Sequence, residues 1–258
     1  MAGAIIKGFV NKNCVNSSDI YFIRQNKEKQ AQQASELGIN GCNDYESLIE
    51  NSDILFLGVK PVVFPTLLPQ IAKSVKKKNP LVVSMAAGLT TDSIKEMLGY
   101  DAKIIRIMPN VNAAIAMSTT AVCKNEFASD EDLATIKNLF SSIGLTTEVP
   151  ENQFAIFTAI AGCSPAYVYM FIDGLARGAQ KMGMNKQKAL EIAASAVIGS
   201  ASMYAQSNEH PQELVDKVCS PGGTTIEGVT TLEEYKFTAG VVKAVENSIL
   251  KDRELSKK

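Results

Sequence analysis

Five short runs of apolar residues, separated by helical patterns, constrain the fold of this chain more than any other feature of its sequence. They are predicted strands, at Ile20–Ile23, Ile54–Val59, Leu81–Met85, Ile104–Met108 and Thr120–Cys123. Apolar residues at helical spacing predict helices at residues 27–37, 62–75, 91–98 and 130–143, of which the first, third and fourth are predicted to end at Gly38, Gly99 and Gly144. Strands that are apolar throughout and alternate with helices require a sheet that is covered on both faces. The pattern therefore predicts an α/β domain with a doubly wound parallel sheet over residues 1–150.

The sequence from residue 151 to residue 258 has no strand pattern. Helical spacing predicts long helices at residues 154–182 and 186–204, a short helix opened by His210 and Pro211, and one or two more at residues 224–252. The longest is apolar nearly all round, and so short a segment has little volume to bury it. We therefore predict a second, all-helical domain at residues 151–258 that buries apolar faces against another subunit.

The chain opens on a helical pattern, Met1 to Val10, with no strand before it. In a Rossmann-like sheet the first strand lies in the middle, beside the second. With the first strand missing, the strand at Ile20–Ile23 would lack its inner neighbour, and each buried backbone group left unpaired costs about 1–3 kcal/mol. We expect the natural start to lie upstream of Met1, because of a mis-assigned start codon or a trimmed sequence. A naturally shortened variant is the alternative.

The composition excludes several classes of function. A formal net charge of -1 gives no basic surplus for binding nucleic acid. One histidine and five cysteines without a CxxC pair provide neither the ligands of a zinc site nor a Ser-His-Asp or Cys-His signature. No apolar run approaches the roughly 20 residues that span a bilayer, and no export signal is recognisable. Unpaired cysteines indicate a reducing compartment, so we predict a cytoplasmic protein with no metal and no membrane partner.

The strongest local motif runs from Cys219 to Glu227, where a proline and two glycines, Gly222 and Gly223, precede Thr224 and Thr225. Proline fixes φ and glycine permits unusual backbone angles, so this turn can bring consecutive N–H groups together. Either threonine is suited to cap the helix that follows. Free N–H groups at a helix N-terminus bind carboxylates and phosphates. An ordinary glycine-rich turn with a threonine cap explains the pattern equally well.

A second group of candidates lies where the predicted strands end, since open α/β sheets bind ligands at that edge. Lys60 follows one strand and either neutralises a phosphate or is an exposed loop lysine. Ala86 and Ala87 follow the next strand and allow close approach of a flat ligand, and the segment Arg106–Asn110 ends the strand after that. Arg24 stands where nucleotide-binding folds read the adenosine ribose. A guanidinium there suits a 2′-phosphate, although an ordinary exposed arginine is the alternative.

Taken together, these motifs resemble those of the pyrroline-5-carboxylate reductase family. The resemblance runs through almost the whole chain, and it is specific because of the order and spacing of its motifs. They are Met1–Gly8, Asn43, Asp53–Pro61, Arg106–Asn110, Gly162–Tyr167, His210–Pro211 and Ser220–Thr225. The resemblance implies reduction of 1-pyrroline-5-carboxylate, a cyclic imine, to L-proline by hydride from NADPH or NADH. This reaction is the last step of proline biosynthesis.

Position by position, the resemblance also implies roles for individual residues. Val59, Lys60 and Pro61 would line the nicotinamide end of the cofactor site. The cofactor's inner face would lie against Ala86 and Ala87, and its adenosine near Asn43. The substrate-binding residues would be Ser220, Gly222, Gly223, Thr224 and Thr225. Within this loop the backbone of the last three residues would hold the carboxylate, and the Thr225 hydroxyl would lie near the imine nitrogen as the catalytic group. The helical half resembles a dimerisation domain, which implies a homodimer, and dimers of the family can assemble further into a decamer.

The sequence departs from the family pattern at several places. The opening strand and its glycine-rich loop do not precede Met1. Cys163 and Ser164 replace a Ser-Gly pair, and Val111 and Asn112 replace a Thr-Pro pair. Two alternatives to the reductase follow from these differences. One is a non-catalytic dimeric paralogue that has lost cofactor binding, and the other is a reductase of a related small cyclic imino acid.

Overall fold

A computed structural model describes residues 1–255 of the chain, in which strands alternate with helices up to Glu148 and only helices follow. The strands are β1 Tyr21–Phe22, β2 Asn40–Gly41, β3 Ile54–Leu57, β4 Leu81–Ser84, β5 Ile104–Met108, β6 Ser118–Lys124 and β7 Gly144–Glu148. The helices of the first half are α1 Ala2–Asn11, α2 Lys27–Leu37, α3 Tyr45–Glu50, α4 Phe64–Lys78, α5 Thr91–Leu98 and α6 Asp130–Ser141. Those of the second half are α7 Phe154–Phe157, α8 Ser164–Lys181, α9 Lys186–Gln206, α10 Pro211–Val218, α11 Thr224–Glu234 and α12 Phe237–Leu255.

The strands form two sheets. β1 and β2 make a parallel pair, and the other five lie in the order β3-β4-β5-β6-β7. β3, β4 and β5 are parallel, with Leu57, Ser84 and Arg106 in one row. Among the described residues β1 pairs with β2 alone. The predicted α/β architecture with a mainly parallel sheet is confirmed.

The last two strands depart from the parallel arrangement, because β6 is antiparallel to β5, and β7, a strand that was not predicted, is parallel to β6. Between Met108 at the end of β5 and Ser118 at the start of β6 the chain makes only a short 3₁₀ turn, Val111–Ile115. A parallel connection needs a crossover of about a dozen residues or more, usually a helix. The short connection therefore returns the chain in the opposite direction.

The five-stranded sheet has a hydrophobic core on each face. Neighbouring residues of β4 point to opposite faces, so Val82 packs in the cluster with α4 and α5, and Val83 packs in the cluster with α1 and α6. On the second face Phe9 of α1 meets Phe140 of α6 edge to face, with ring centroids 5.4 Å apart. Because both faces are buried, β3, β4 and β5 carry apolar residues except at Ser84 and Arg106, instead of alternating with polar ones.

Glycine marks two helix ends as predicted and one strand that was not predicted. Gly38 and Gly99 follow α2 and α5 in the left-handed region, with φ of 66° and 69°, as expected for helix C-termini. Gly144 was predicted to end the helix before it, but that helix ends at Ser141 and Gly144 begins β7. A Cβ at Gly144 would lie 2.0 Å from the Ser118 backbone oxygen, so only glycine fits beside β6.

The chain divides into two compact units: Met1–Gly162 together with the C-terminal segment from Ile249, and Cys163–Ser248. The boundary falls inside one continuous helical stretch, since a π-helical segment, Thr158–Cys163, links α7 to α8. The predicted division at residues 150 and 151 follows the end of the strands and stays a prediction.

One helical stretch, Glu151–Lys181, is long and apolar enough to cross a membrane by length and composition, and 22% of its most apolar window is buried. The prediction that no apolar run approaches this length is wrong by that criterion, because α7, the π-helical segment and α8 are continuous. Exposed apolar side chains on α8 include Tyr169, Met170 and Phe171. An exposed apolar face on a long helix is also typical of a surface that another subunit covers.

Candidate cofactor edge and substrate loop

Because β3, β4 and β5 are parallel, their carboxyl ends lie at one edge of the sheet, which we name the cofactor edge after its predicted role. This edge brings together three predicted segments: Val59–Pro61, Ala86–Ala87 and Arg106–Asn110. Val59 and Lys60 follow β3 and are exposed, and Pro61 opens a 3₁₀ turn. Ala86 and Ala87 follow β4. Ala87 is exposed, but Ala86 is 2% exposed and packs in the hydrophobic core, so only its backbone can face a ligand.

Helix α1 begins at this same edge. A Cβ at Gly58 would lie 2.8 Å from the Cβ of Ala2, so the absence of a side chain at Gly58 lets the first turn of α1 approach the end of β3. The cap residue Met1 makes no side-chain hydrogen bond to that turn. An uncapped helix N-terminus carries free N–H groups and a partial positive charge, which suit a phosphate. The sequence predicted the helix but not that its start lies against Gly58.

Arg24 and Asn43 follow β1 and β2, whose carboxyl ends also lie side by side. The buried side chain of Gln30, on α2, joins the two. Its oxygen accepts from the Arg24 backbone N–H at 2.7 Å, and its nitrogen donates to the Cys42 oxygen at 2.8 Å. The Arg24 guanidinium donates to Gln33 at 2.8 Å, which holds a cation at this corner. Sequence reasoning missed Gln30, because nothing in a polar helix distinguishes one glutamine from its neighbours.

Lys27 provides a second cation beside Asn43. Its Nζ lies 3.5 Å from the Cys42 oxygen and 3.3 Å from the Asn43 oxygen, and it is otherwise exposed. The residue was not predicted, although its position three residues after Arg24 on the first turn of α2 is a signal that could have found it. Two cations and a carboxamide at one corner form an environment that favours an anion such as a ribose phosphate.

Glu151 connects two of the loops at the edge of the five-stranded sheet. Its carboxylate accepts from the Thr91 backbone N–H at 2.8 Å and from the Thr91 hydroxyl at 2.9 Å, at the start of α5. It also pairs with Arg106 of β5 at 3.2 Å. The Arg106 guanidinium lies over the Phe154 ring, 4.5 Å from its centroid. Glu151 thereby fixes the end of the loop that begins with Ala86. Sequence reasoning missed this role of Glu151.

The predicted substrate loop lies in the second compact unit, before α11. Gly222 has a φ of 64°, and the Gly223 N–H donates to the Ser220 oxygen at 3.0 Å, which closes the turn. A Cβ at Gly223 would lie 2.2 Å from the Ser220 Oγ. The prediction that Thr224 or Thr225 caps the helix is wrong. Gly223 is the cap residue, and both threonines lie inside the first turn.

This correction leaves the start of α11 open to a ligand. No side chain of the cap residue accepts from the first turn, so its N–H groups point outward without a side-chain partner. Thr225 is half-buried, and its hydroxyl makes no hydrogen bond within residues 1–255. Upstream, a capping box between His210 and Glu213 fixes the start of α10, the helix that leads into the loop. The loop therefore presents backbone donors and one hydroxyl that are free to contact a small carboxylate.

The titratable groups show no second catalytic centre. Burial, together with the charge of the neighbouring Glu151, raises the pKa of the Cys123 thiol to about 12, so Cys123 stays a protonated thiol. All five cysteines are free. Within the described residues no group of three His, Cys, Asp or Glu side chains could hold a metal ion. The candidate functional residues are therefore those of the cofactor edge, in the unit Met1–Gly162, and those of the substrate loop, in the unit Cys163–Ser248.

Comparison with known proteins matches both halves of the chain. Residues 151–255 match the family model for pyrroline-5-carboxylate reductase dimerisation. Residues 1–88 match the family model described as NADP oxidoreductase, coenzyme F420-dependent.

Full-length relatives and structures agree. The chain is 39% identical to a pyrroline-5-carboxylate reductase of Escherichia coli over 257 residues, which cover 100% of this chain and 95% of that protein. It is 34% identical to that of Methanosarcina acetivorans over 260 residues, covering 100% and 93%. The crystal structure of a Plasmodium falciparum pyrroline carboxylate reductase with NADP bound superposes with a TM-score of 0.88 at 28% identity, covering 98% of this chain and 93% of that one. This chain belongs to the pyrroline-5-carboxylate reductase family.

Proposed function

We propose that this chain reduces 1-pyrroline-5-carboxylate to L-proline with hydride from NADPH or NADH, the last step of proline biosynthesis. The observation that carries the proposal is the loop Ser220–Thr225, which opens α11 with a glycine cap and leaves backbone N–H groups free. A substrate with one carboxylate needs such donors, and nothing in the reaction needs an acid–base pair or a metal. Family membership supports the same reaction.

The residues present fit a dinucleotide. The uncapped start of α1, brought against Gly58, supplies donors for a phosphate, and Arg24 is fixed by Gln33 where a 2′-phosphate would be read. Val59, Lys60 and Pro61, with Ala87, would hold the nicotinamide end, and Asn43 the adenosine. The cofactor supplies the hydride that reduces the imine carbon. We expect Arg24→Ala to raise KM for NADPH more than KM for NADH.

The role of the chain itself is to hold and orient the imine. The backbone N–H groups of Thr224 and Thr225 would bind the substrate carboxylate, while the Gly223 N–H, which donates to the Ser220 oxygen, would shape the turn together with Ser220 and Gly222. The Thr225 hydroxyl, on the first turn of α11, would contact the imine nitrogen. A substrate already protonated on that nitrogen needs only hydride on the carbon to become the amine, so no residue has to supply a proton. Fixing a reacting atom in this way accelerates a reaction by removing orientational freedom before the chemical step.

The helical half supports self-association as a homodimer. Large apolar side chains stay exposed on four of its helices: Val168, Tyr169, Met170, Phe171 and Leu175 on α8, Ile192 and Ile198 on α9, Leu232 on α11, and Phe237 and Val242 on α12. Exposed apolar area of this extent is typical of a subunit interface. A decamer built from such dimers is the finer proposal, and analytical ultracentrifugation distinguishes the two assemblies by mass. A cytoplasmic location fits the free cysteines.

The proposal is tested by steady-state kinetics with pyrroline-5-carboxylate and NADPH. We expect Thr225→Ala to lower kcat by an order of magnitude or more, because a hydrogen bond of about 1–3 kcal/mol to the reacting group is lost. Thr231→Ala is the matched control. That hydroxyl lies on the same helix but donates back to the Glu227 oxygen at 2.8 Å, so its loss should leave kcat unchanged. Equal rates for both variants and the wild type would remove Thr225 from the site.

Two other functions are separated from this one by direct measurements. A non-catalytic paralogue that has lost cofactor binding, suggested by Cys163 and Asn112, would show no saturable binding when NADPH is titrated onto the purified chain. A reductase of a related cyclic imino acid would show a higher kcat/KM with a ring-size analogue than with pyrroline-5-carboxylate.

A further inference from the structure

The π-helical segment Thr158–Cys163 contains a backbone oxygen that its own helix cannot serve in the ordinary way. In an α-helix the Ala161 oxygen would accept from the N–H of the residue four positions later, and that residue is Pro165, which has none. Ala161 is buried, so water does not replace the missing donor. A buried carbonyl without a partner is costly, and π-helical turns are frequent at functional sites.

The side chain of Asn110 supplies a donor to this oxygen from outside the helix. Its Nδ2 donates to the Ala161 oxygen at 3.0 Å, across 51 residues of sequence. The Asn110 Oδ1 accepts from the backbone N–H groups of Asn112 at 3.2 Å and Thr119 at 3.3 Å. Asn110 is only 5% exposed and directly follows Pro109 at the end of β5. A single buried carboxamide therefore ties the cofactor edge of the sheet to the π-helical segment.

The position of this hydrogen bond along the chain is what gives it a consequence. The chain leaves the unit Met1–Gly162 at residue 162, inside the π-helical segment and one residue after Ala161. The path of the helix at Ala161 is therefore set by a residue of the cofactor edge.

We propose that Asn110 is a positioning residue for the reduction, acting through the Ala161 carbonyl and the π-helical segment. The proposal rests on the proposed function. Asn110 has no assigned contact with substrate or cofactor; its part is to hold the loop after β5 and the π-helical segment against each other at the cofactor edge, within the unit Met1–Gly162. Loss of the side chain should lower the rate of hydride transfer while leaving the cofactor bound, because hydride transfer depends on orientation more steeply than binding does.

Asn125 provides a closely matched control. It is 6% exposed, and it also donates to one backbone oxygen, that of Ala102 at 2.9 Å. It likewise accepts from two backbone N–H groups, those of Ile104 at 3.0 Å and Ala128 at 3.1 Å. Asn125 lies at the opposite end of β5 from Asn110. Asn110→Ala and Asn125→Ala therefore each remove one donated and two accepted hydrogen bonds, at opposite ends of β5.

The experiment compares kcat, the dissociation constant of NADPH and the melting temperature for the wild type and both variants. We expect similar falls in melting temperature, unchanged NADPH binding within about twofold, and a fall in kcat of about tenfold or more for Asn110→Ala alone. Equal kcat for the two variants at a temperature where both are folded would overturn the proposal. Should Asn110→Ala not fold, Asn110→Ser, whose hydroxyl is too short to reach Ala161, must show the same loss of kcat. A wild-type chain with no reductase activity would refute the proposed function instead.

Discussion

The Arg106–Glu151 pair allows a quantitative test of how the cofactor edge is held. Arg106 has a side chain that is 6% exposed, and its Nε is buried without a hydrogen-bond partner among the described residues. Glu151 is 28% exposed and makes one contact to Arg106 and two to Thr91. Replacing Glu151 with alanine leaves a buried guanidinium and the start of α5 without their acceptor. Removing one partner of a buried ion pair costs about 3–5 kcal/mol.

Two features of the site place the expected loss for Glu151→Ala at the lower end, about 3 kcal/mol. Glu151 is partly exposed to water. Burial raises the pKa of Asp252, and Arg106 opposes this rise, so Asp252 lies near enough to compensate part of the Arg106 charge. The matched control is Glu148→Ala. Glu148 pairs with Lys137 at 3.7 Å and is 58% exposed, so its loss should cost less than about 1 kcal/mol.

The assay is urea-induced unfolding at a fixed protein concentration, with the free energy of unfolding obtained by linear extrapolation. Because the chain has two compact units, circular dichroism and tyrosine fluorescence should be followed together to establish whether one transition or two occur. If Glu151→Ala loses no more stability than Glu148→Ala, then Glu151 does not hold Arg106 and Thr91 in place.

Two further perturbations follow from the structure. Gly144→Ala should abolish the pairing of β6 with β7, because the φ of Gly144 is 143° and the new Cβ would lie 2.0 Å from the Ser118 oxygen. The control is Gly3→Ala, where the atom nearest to the new Cβ is 3.8 Å away. Similar melting temperatures for the two variants would contradict this prediction. Cys123, whose pKa is raised from 9.0 to about 12, binds its proton more tightly in the folded state, so its contribution to stability is complete below pH 9 and is lost as the pH rises toward 12. The wild type should therefore lose about 1.4 kcal/mol per pH unit more than Cys123→Ala above pH 9, and parallel stability curves for the two proteins would refute the assignment.

Local sequence determined much of this protein. The continuous apolar runs at β3, β4 and β5 predict buried parallel strands, because a strand covered on both faces cannot alternate with polar residues. Gly38 and Gly99 mark helix ends, because a left-handed residue there costs glycine little. Spacing alone also predicted that residues 151–255 contain no strand, as the structure has it. The motif Ser220–Thr225 predicted a turn before a helix, although not which residue caps it.

Only the tertiary structure decided the rest. The reversal of β6, the support of Arg24 by Gln30, and the contacts of Glu151 and Asn110 join residues that are distant in sequence, 60 positions apart for Thr91 and Glu151 and 51 for Asn110 and Ala161. Helical and strand periodicity reports which face of an element is buried, and apolar burial is non-directional. A buried hydrogen bond depends on two groups meeting within about 3 Å, and that meeting is fixed only when the elements pack.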